Sequence, residues 1–192
     1  MDHKEAIIQA TIELIEEKGE NIDAITMREI CKKADVGLGL INYHFENKDN
    51  LIAQCVERII HGIVDQFAVL REQAKDVSPF EKLDRLGNLT LTFLFDHSAV
   101  AKISMMSDMK TPKEYDNTHR TYLAFLPLVM ACRPDWDSER IKRAAYCLIT
   151  MMQQAFLRHE IILLTQGVNL KNIEERKKYH RQMLKDILEV EQ

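Results

Sequence analysis

Six glycines and four prolines are all the turn formers that 192 residues contain, less than half the usual roughly 7% and 5%. Such a chain cannot supply the closely spaced reversals of a sandwich or barrel, so long helices are the expected solution. With 46% apolar and 29% charged residues, the composition is that of a soluble globular protein of one domain, or two small ones sharing a core. The longest unbroken apolar run, Ala124 to Cys132, falls far short of the roughly 20 residues that span a bilayer. The N-terminus opens Met-Asp-His-Lys-Glu without an apolar signal core. A cytoplasmic protein with no membrane partner is therefore expected. Cys31, Cys55, Cys132 and Cys147 stand far apart with no C-x-x-C pair, which reads as four reduced, buried, small apolar residues.

Start and stop signals divide the chain into about nine helices and no strand. Ile7, Ile8, Ile12, Leu14 and Ile15 give the first helix a broad apolar face, and Gly19 stands where it should end. Thr26-Met27-Arg28-Glu29 has capping-box spacing, Asp35-Val36-Gly37 interrupts the short helix it opens, and Leu38 to Phe45 resumes helical spacing until Glu46-Asn47. Asn47 then caps a long helix whose stripe runs through Leu51/Ile52, Cys55/Val56, Ile59/Ile60, Ile63/Val64 and Phe67/Ala68. Ser78-Pro79-Phe80-Glu81 and Thr111-Pro112-Lys113-Glu114 each combine a cap, a first-turn proline and a capping-box glutamate, with a Met-rich piece from Ala99 to Met109 between the helices they open. Pro127 is expected to bend or shorten the second of these. The most regular pattern, Ile141 to Leu163, lies between Asp137-Ser138 and Gly167, and a last helix starts at Asn172.

The net charge of −4 argues mildly against a nucleic-acid binder as a whole. Residues 26–48 are different: Arg28, Lys32, Lys33 and Lys48 face only Glu29, Asp35 and Glu46. Any phosphate contact must come from this stretch. Three short helices with a tight turn before the last form the layout of a helix-turn-helix reader, in which the last helix enters the major groove; the same layout also fits an ordinary helical hairpin. A three-helix unit of this size buries too little surface to stand alone, so it should lean on the long helix from Lys48 onward.

The segment from Thr26 to Phe45, with Tyr43-His44-Phe45, then Lys48-x-x-Leu51 and the Ile8-to-Gly19 helix before it, resembles the N-terminal domain of the TetR family over roughly residues 5–55. The resemblance implies an all-α fold, with a helix-turn-helix DNA-binding domain at 1–47 and a helical ligand-binding and dimerisation domain at 48–192. It implies that Thr26, Tyr43, His44 and Lys48 hold phosphates, with Arg28 beside them, contacts that fix register without reading sequence. Tyr43 also admits a core reading, and His44 and Lys48 plain surface readings. Asp35 stands where the family usually has glycine, and Gly37, Leu38 and Leu40 replace commoner small-polar or basic residues, so base readout should be sparse. On the reading helix Gly39 is one of the candidate DNA contacts, Asn42 is the candidate for paired hydrogen bonds to adenine, and Leu38 or Leu40 for thymine methyls.

The expected partners are a palindromic double-stranded operator, a second copy of the chain through the helices at 138–166 and 172–190, whose apolar faces look too wide for one small core, and a largely apolar small-molecule effector. His97, Met105, Met109, His119, Tyr122, Met152, Gln153 and Phe156 are candidate effector contacts, although Met at helical spacing equally fills core gaps. The cluster Arg176, Lys177, Lys178 and Arg181, interleaved with Glu174, Glu175 and Asp186, reads as a solvated helix face. No H-E-x-x-H, G-x-S-x-G, G-x-G-x-x-G or P-loop motif occurs, so no cofactor, metal or catalysis is expected. The alternatives are a helical interaction module and a metal-dependent helical enzyme built loosely on His97, Asp108 and His119.

Overall fold

A computed structural model describes residues 2–72 and 77–190, with side chains throughout except at positions 20, 23 and 61–72. Ten α-helices and one 3-10 helix make up the described residues, which contain no strand. They fall into two compact units, Met1–Val69 with His97–Thr111, and Leu70–Asp96 with Pro112–Gln192.

The first unit begins with α1 (His3–Lys18), capped by the Asp2 carboxylate and closed by Gly19 at φ 54°. The 3-10 helix Gly19–Ala24 leads to α2 (Met27–Ala34), then α3 (Leu38–Phe45) and the long α4 (Lys48–Glu72). Helix α6 (Ser98–Lys110) belongs with them and packs on the 3-10 helix. Ile7, Ile15, Ile25, Ile30, Ile41, Phe45, Leu51 and Cys55 are almost wholly buried, so the three-helix unit shares one core with the first turns of α4, as its small size demands. The continuation of the α4 stripe through Ile63, Val64, Phe67 and Ala68 lies outside the described side chains. Burial pushes the Cys55 thiol up to about 12. All four cysteines are free, but Cys147 is exposed and Cys31 and Cys132 are only half-buried, which corrects the expectation of four buried thiols: the chain's apolar stripes do not cover those positions.

The second unit holds α5 (Pro79–Asp96), α7 (Asn117–Cys132), α8 (Ser138–Leu157), α9 (His159–Gln166) and α10 (Ile173–Leu188). Two boundaries differ from the sequence reading. Helix α7 starts at Asn117 rather than beside Thr111-Pro112, because the Asp116 carboxylate accepts from both the Lys113 amide at 3.1 Å and the His119 amide at 2.8 Å, closing a turn first and capping the helix second. It then runs through Pro127 to Cys132 without being shortened. The pattern from Ile141 to Leu163 is two helices, which raises the count to ten. The break falls at Arg158 (φ −114°, ψ 23°), where His159 Nδ1–H donates to the Phe156 carbonyl at 2.8 Å and so competes for an acceptor that an unbroken helix would use.

The basic cluster on α10 is not one solvated face. Lys177 and Lys178 are exposed, whereas the Arg176 guanidinium is buried over the Phe95 ring at 4.6 Å and donates to the Leu170 carbonyl at 3.0 Å; this desolvation lowers its pKa. Arg181 reaches α5, pairing with Glu81 and, at 2.7 Å, with Asp84. His180, with no exposed surface, donates from Nδ1 to Asp84 at 2.9 Å. These contacts, with Met183, Leu184 and Leu188, commit one side of α10 to the unit's own core, while Ile173 at its start stays 46% exposed. Helix α9 is the opposite case: HEIILLTQ has no buried residue, and Leu164 is 79% exposed.

Among the described residues, no helix is long and apolar enough to cross a membrane.

Candidate nucleic-acid interface

The geometry of α2, the turn and α3 follows from three local devices. At the start of α2 the Thr26 hydroxyl accepts from the Glu29 amide (3.2 Å) while the Glu29 carboxylate accepts from the Thr26 amide (2.8 Å), the reciprocal arrangement its spacing predicts. Lys18 of α1 pairs with the same carboxylate at 3.0 Å. The Thr26 amide, then Lys18 and the Thr26 hydroxyl, hold the Glu29 carboxyl down at about 2. Asp35 closes α2 in the left-handed region (φ 53°, ψ 48°), a conformation that aspartate tolerates better than most residues. Finally Ile41 and Phe45, one turn apart, are buried to 0% and 1% exposure and fix the rotation of α3 about its own axis.

That rotation turns Leu38, Gly39, Asn42 and Tyr43 outward together. Leu38 is 51% and Tyr43 81% exposed, so Tyr43 contributes nothing to the core. Its ring meets that of His44 edge-on, with centroids 5.0 Å apart, and His44 itself is half-buried. Leu40 is half-buried too, which leaves Leu38 as the freer apolar contact. Arg28 and Lys32 stand exposed on α2, and Lys48 half-buried at the start of α4. Lys33, by contrast, is drawn onto α1 by Glu17 at 2.5 Å and Glu13 at 3.3 Å. Thr26 is also occupied: its hydroxyl proton goes to Glu29 at 2.9 Å. Spacing revealed the cap; it could not reveal that Lys18 and Lys33 are consumed by carboxylates one helix away.

The effector candidates are not gathered in one place. His97 (exposed), Met105 (buried) and Met109 (exposed) belong to the first unit. In the second, Tyr122 lies 5.6 Å from His119 and 6.2 Å from Tyr146 between ring centroids, and Gln153 donates to Thr118 at 3.0 Å. Met152 and Phe156 are core residues, with Phe156 edge-on to Phe95. A groove of about 400 Å³ opens on α7 and α8, lined by Leu126, Met130, Trp136 and Ile141 among others. None of the eight candidates lines it. The sequence reading passed over Trp136, whose ring is clasped by the guanidiniums of Arg133 at 4.3 Å and Arg140 at 3.9 Å; Arg-Pro-Asp-Trp before a cap was the only available signal. Among the described residues, no group of three or more His, Cys, Asp or Glu side chains comes together as a metal cluster.

Comparison with known proteins bears on this interface. Residues 7–55 match the family described as bacterial regulatory proteins, tetR family. The HTH-type transcriptional regulator BetI 1 of Chromohalobacter salexigens is 33% identical over 140 residues, covering 71% of this chain and 56% of that protein. BetI 2 of the same organism is 26% identical over 153 residues, covering 76% of this chain and 73% of that protein. The chain thus spans little more than half the length of the first of these relatives. A TetR-like transcriptional regulator from Rhodococcus sp. RHA1 superposes with a TM-score of 0.61 over 98% of this chain and 97% of that one, at 16% identity, which shows a shared fold.

Proposed function

We propose, from its similarity to the tetR family of bacterial regulatory proteins, that the chain is a transcriptional regulator, a repressor, that grips a palindromic duplex operator as a homodimer. The observation that carries the reading is the outward face of α3, where Leu38, Gly39, Asn42 and Tyr43 project from a helix locked in rotation by Ile41 and Phe45. On that face Asn42 supplies both a donor and an acceptor, matched to the N6 and N7 edge of adenine, and Leu38 offers an apolar surface to a thymine methyl. Tyr43, His44, Lys48 and Arg28 lie around it as phosphate contacts; Thr26 joins them if its hydroxyl is released from Glu29. Phosphate contacts set register and contribute salt-dependent affinity, while the α3 face sets sequence.

In function the chain divides into a reading domain at 1–47 and a regulatory domain at 48–192. The second copy docks on α8 and α9: Tyr146 and Met151 on the outer side of α8 and Ile161 and Leu164 on α9 are exposed apolar residues of the kind that a symmetric interface covers. Two-fold symmetry then presents α3 to successive major grooves roughly 34–36 Å apart. A small, largely apolar effector held near His119, Tyr122 and Gln153 on α7 and α8 shifts the helix that starts at Lys48, and repression is lifted because the effector binds the wrongly spaced state more tightly.

Fluorescence anisotropy with duplex DNA flanking the chain's own gene, against a random duplex of equal length, tests the reading, with sedimentation run alongside. A dimer that prefers the flanking DNA and weakens steeply with salt is expected. A monomer indifferent to duplex DNA at low ionic strength would overturn it.

A further inference from the structure

Five glycines have described surroundings, and four of them answer to a need within the chain. Gly19 and Gly167 adopt φ of +54° and +71°, and Gly87 leaves space for the His180 ring. Gly37 is the N-cap of α3, a position where glycine is nearly as good as the polar caps. Gly39 has no such reason. It lies in the first turn of α3, its φ is not positive, and a Cβ built on it meets nothing within 4 Å. Glycine is the least favourable residue in a helix after proline, so the chain forgoes stability at a point where alanine would fit without contact. Gly39 is also exposed, one turn from Asn42 and Tyr43 and adjacent to the exposed Leu38. A glycine that the fold does not require, on a face directed outward, is explained by something outside the chain coming close to its backbone.

We propose that Gly39 is the point of closest approach between the α3 backbone and the duplex, and that its missing Cβ sets how deeply α3 enters the major groove. This rests on the duplex-reading function proposed above. A methyl at 39 would hold the helix away from the bases, stretching the Asn42 hydrogen bonds past the length at which they count while leaving the phosphate contacts of Arg28 and Lys48 largely in reach.

The test compares the full chain with its Gly39→Ala variant, using a duplex selected by the unmodified chain from a randomised library and a random duplex as control. The variant should melt at the same temperature or up to about 3 °C higher, bind the selected duplex roughly tenfold or more weakly, and bind the random duplex within about twofold. Equal affinity for the selected duplex would overturn the inference, as would a lowered melting temperature, which would assign Gly39 to the fold. Failure of the unmodified chain to select any duplex is a different result, and overturns the proposed function itself.

Discussion

Alanine at position 87 would put a methyl carbon 2.0 Å from Nε2 and 2.2 Å from Cε1 of His180, where comfortable contacts between such atoms lie near about 3.5–4.0 Å. The ring has to retreat, yet it has no exposed surface and its Nδ1 is bonded to Asp84 at 2.9 Å. Overpacking costs about 1–3 kcal/mol, and losing a hydrogen bond to a charged acceptor about 1.5–3 kcal/mol. The better helix propensity of alanine returns about 1 kcal/mol. The net loss for Gly87→Ala is then about 2–5 kcal/mol, a fall in melting temperature of roughly 5–15 °C by circular dichroism. His180→Ala by itself removes a buried ring and should cost about 2–4 kcal/mol, with Asp84 still paired to Arg181 at 2.7 Å. In that background the new methyl enters vacated space, so adding Gly87→Ala should be neutral or stabilising by up to about 1 kcal/mol. The double-mutant cycle therefore predicts a coupling of about 2–6 kcal/mol. Additive losses would refute the contact between Gly87 and His180 as the cause.

Five further variants have expected outcomes. Glu29 has a folded pKa of about 2, below its ordinary 4.5, so its contribution is complete above pH 4.5 and lost as pH falls toward 2; thermal melts of Glu29→Gln should be less pH-sensitive than those of the unmodified chain in that window, and parallel profiles would contradict the assignment. Asp35→Gly relieves a non-glycine φ of 53° and should raise the urea midpoint by the equivalent of about 0.5–1 kcal/mol, while removing a negative charge beside α3 and tightening duplex binding; an unchanged midpoint would mean that aspartate fits the turn without strain. Lys48→Ala should weaken binding to every duplex and flatten the salt slope by about one, whereas Asn42→Ala should relax preference at one base position only, and an unaltered preference would remove Asn42 from base readout. Leu164→Asp, at a position 79% exposed, should leave the helical circular dichroism intact yet shift sedimentation toward monomer; a persisting dimer would place the interface elsewhere.

Local chemistry made much of this protein legible from its residues in order. A capping box, an aspartate or asparagine before an apolar stripe, and a glycine after one act within a single helical turn, so Thr26, Asp137, Asn172 and Gly167 stand where spacing puts them. The helix-turn-helix layout was equally open to inspection, but α3 carries apolar residues at 38, 40, 41 and 45, so its order left Tyr43 both a core and a surface reading, and the burial of Ile41 and Phe45 decided between them. The start of α7 was misplaced because two cap signals competed, and Asp116 prevailed by bonding amides on both sides of itself.

The order of residues alone therefore settled an all-helical body and most helix ends, since each of these depends on neighbours within a few positions, whereas the outward side of α3 was fixed only by the packing of Ile41 and Phe45. The fate of individual charges was decided only when distant helices came together. Lys33 was taken by Glu17, Arg176 was buried against Phe95, and His180 was locked to Asp84 across nearly a hundred residues of chain. A charge is solvated, paired or desolvated according to what lies within a few ångströms of it, and for these side chains that surrounding is made by helices far away in sequence.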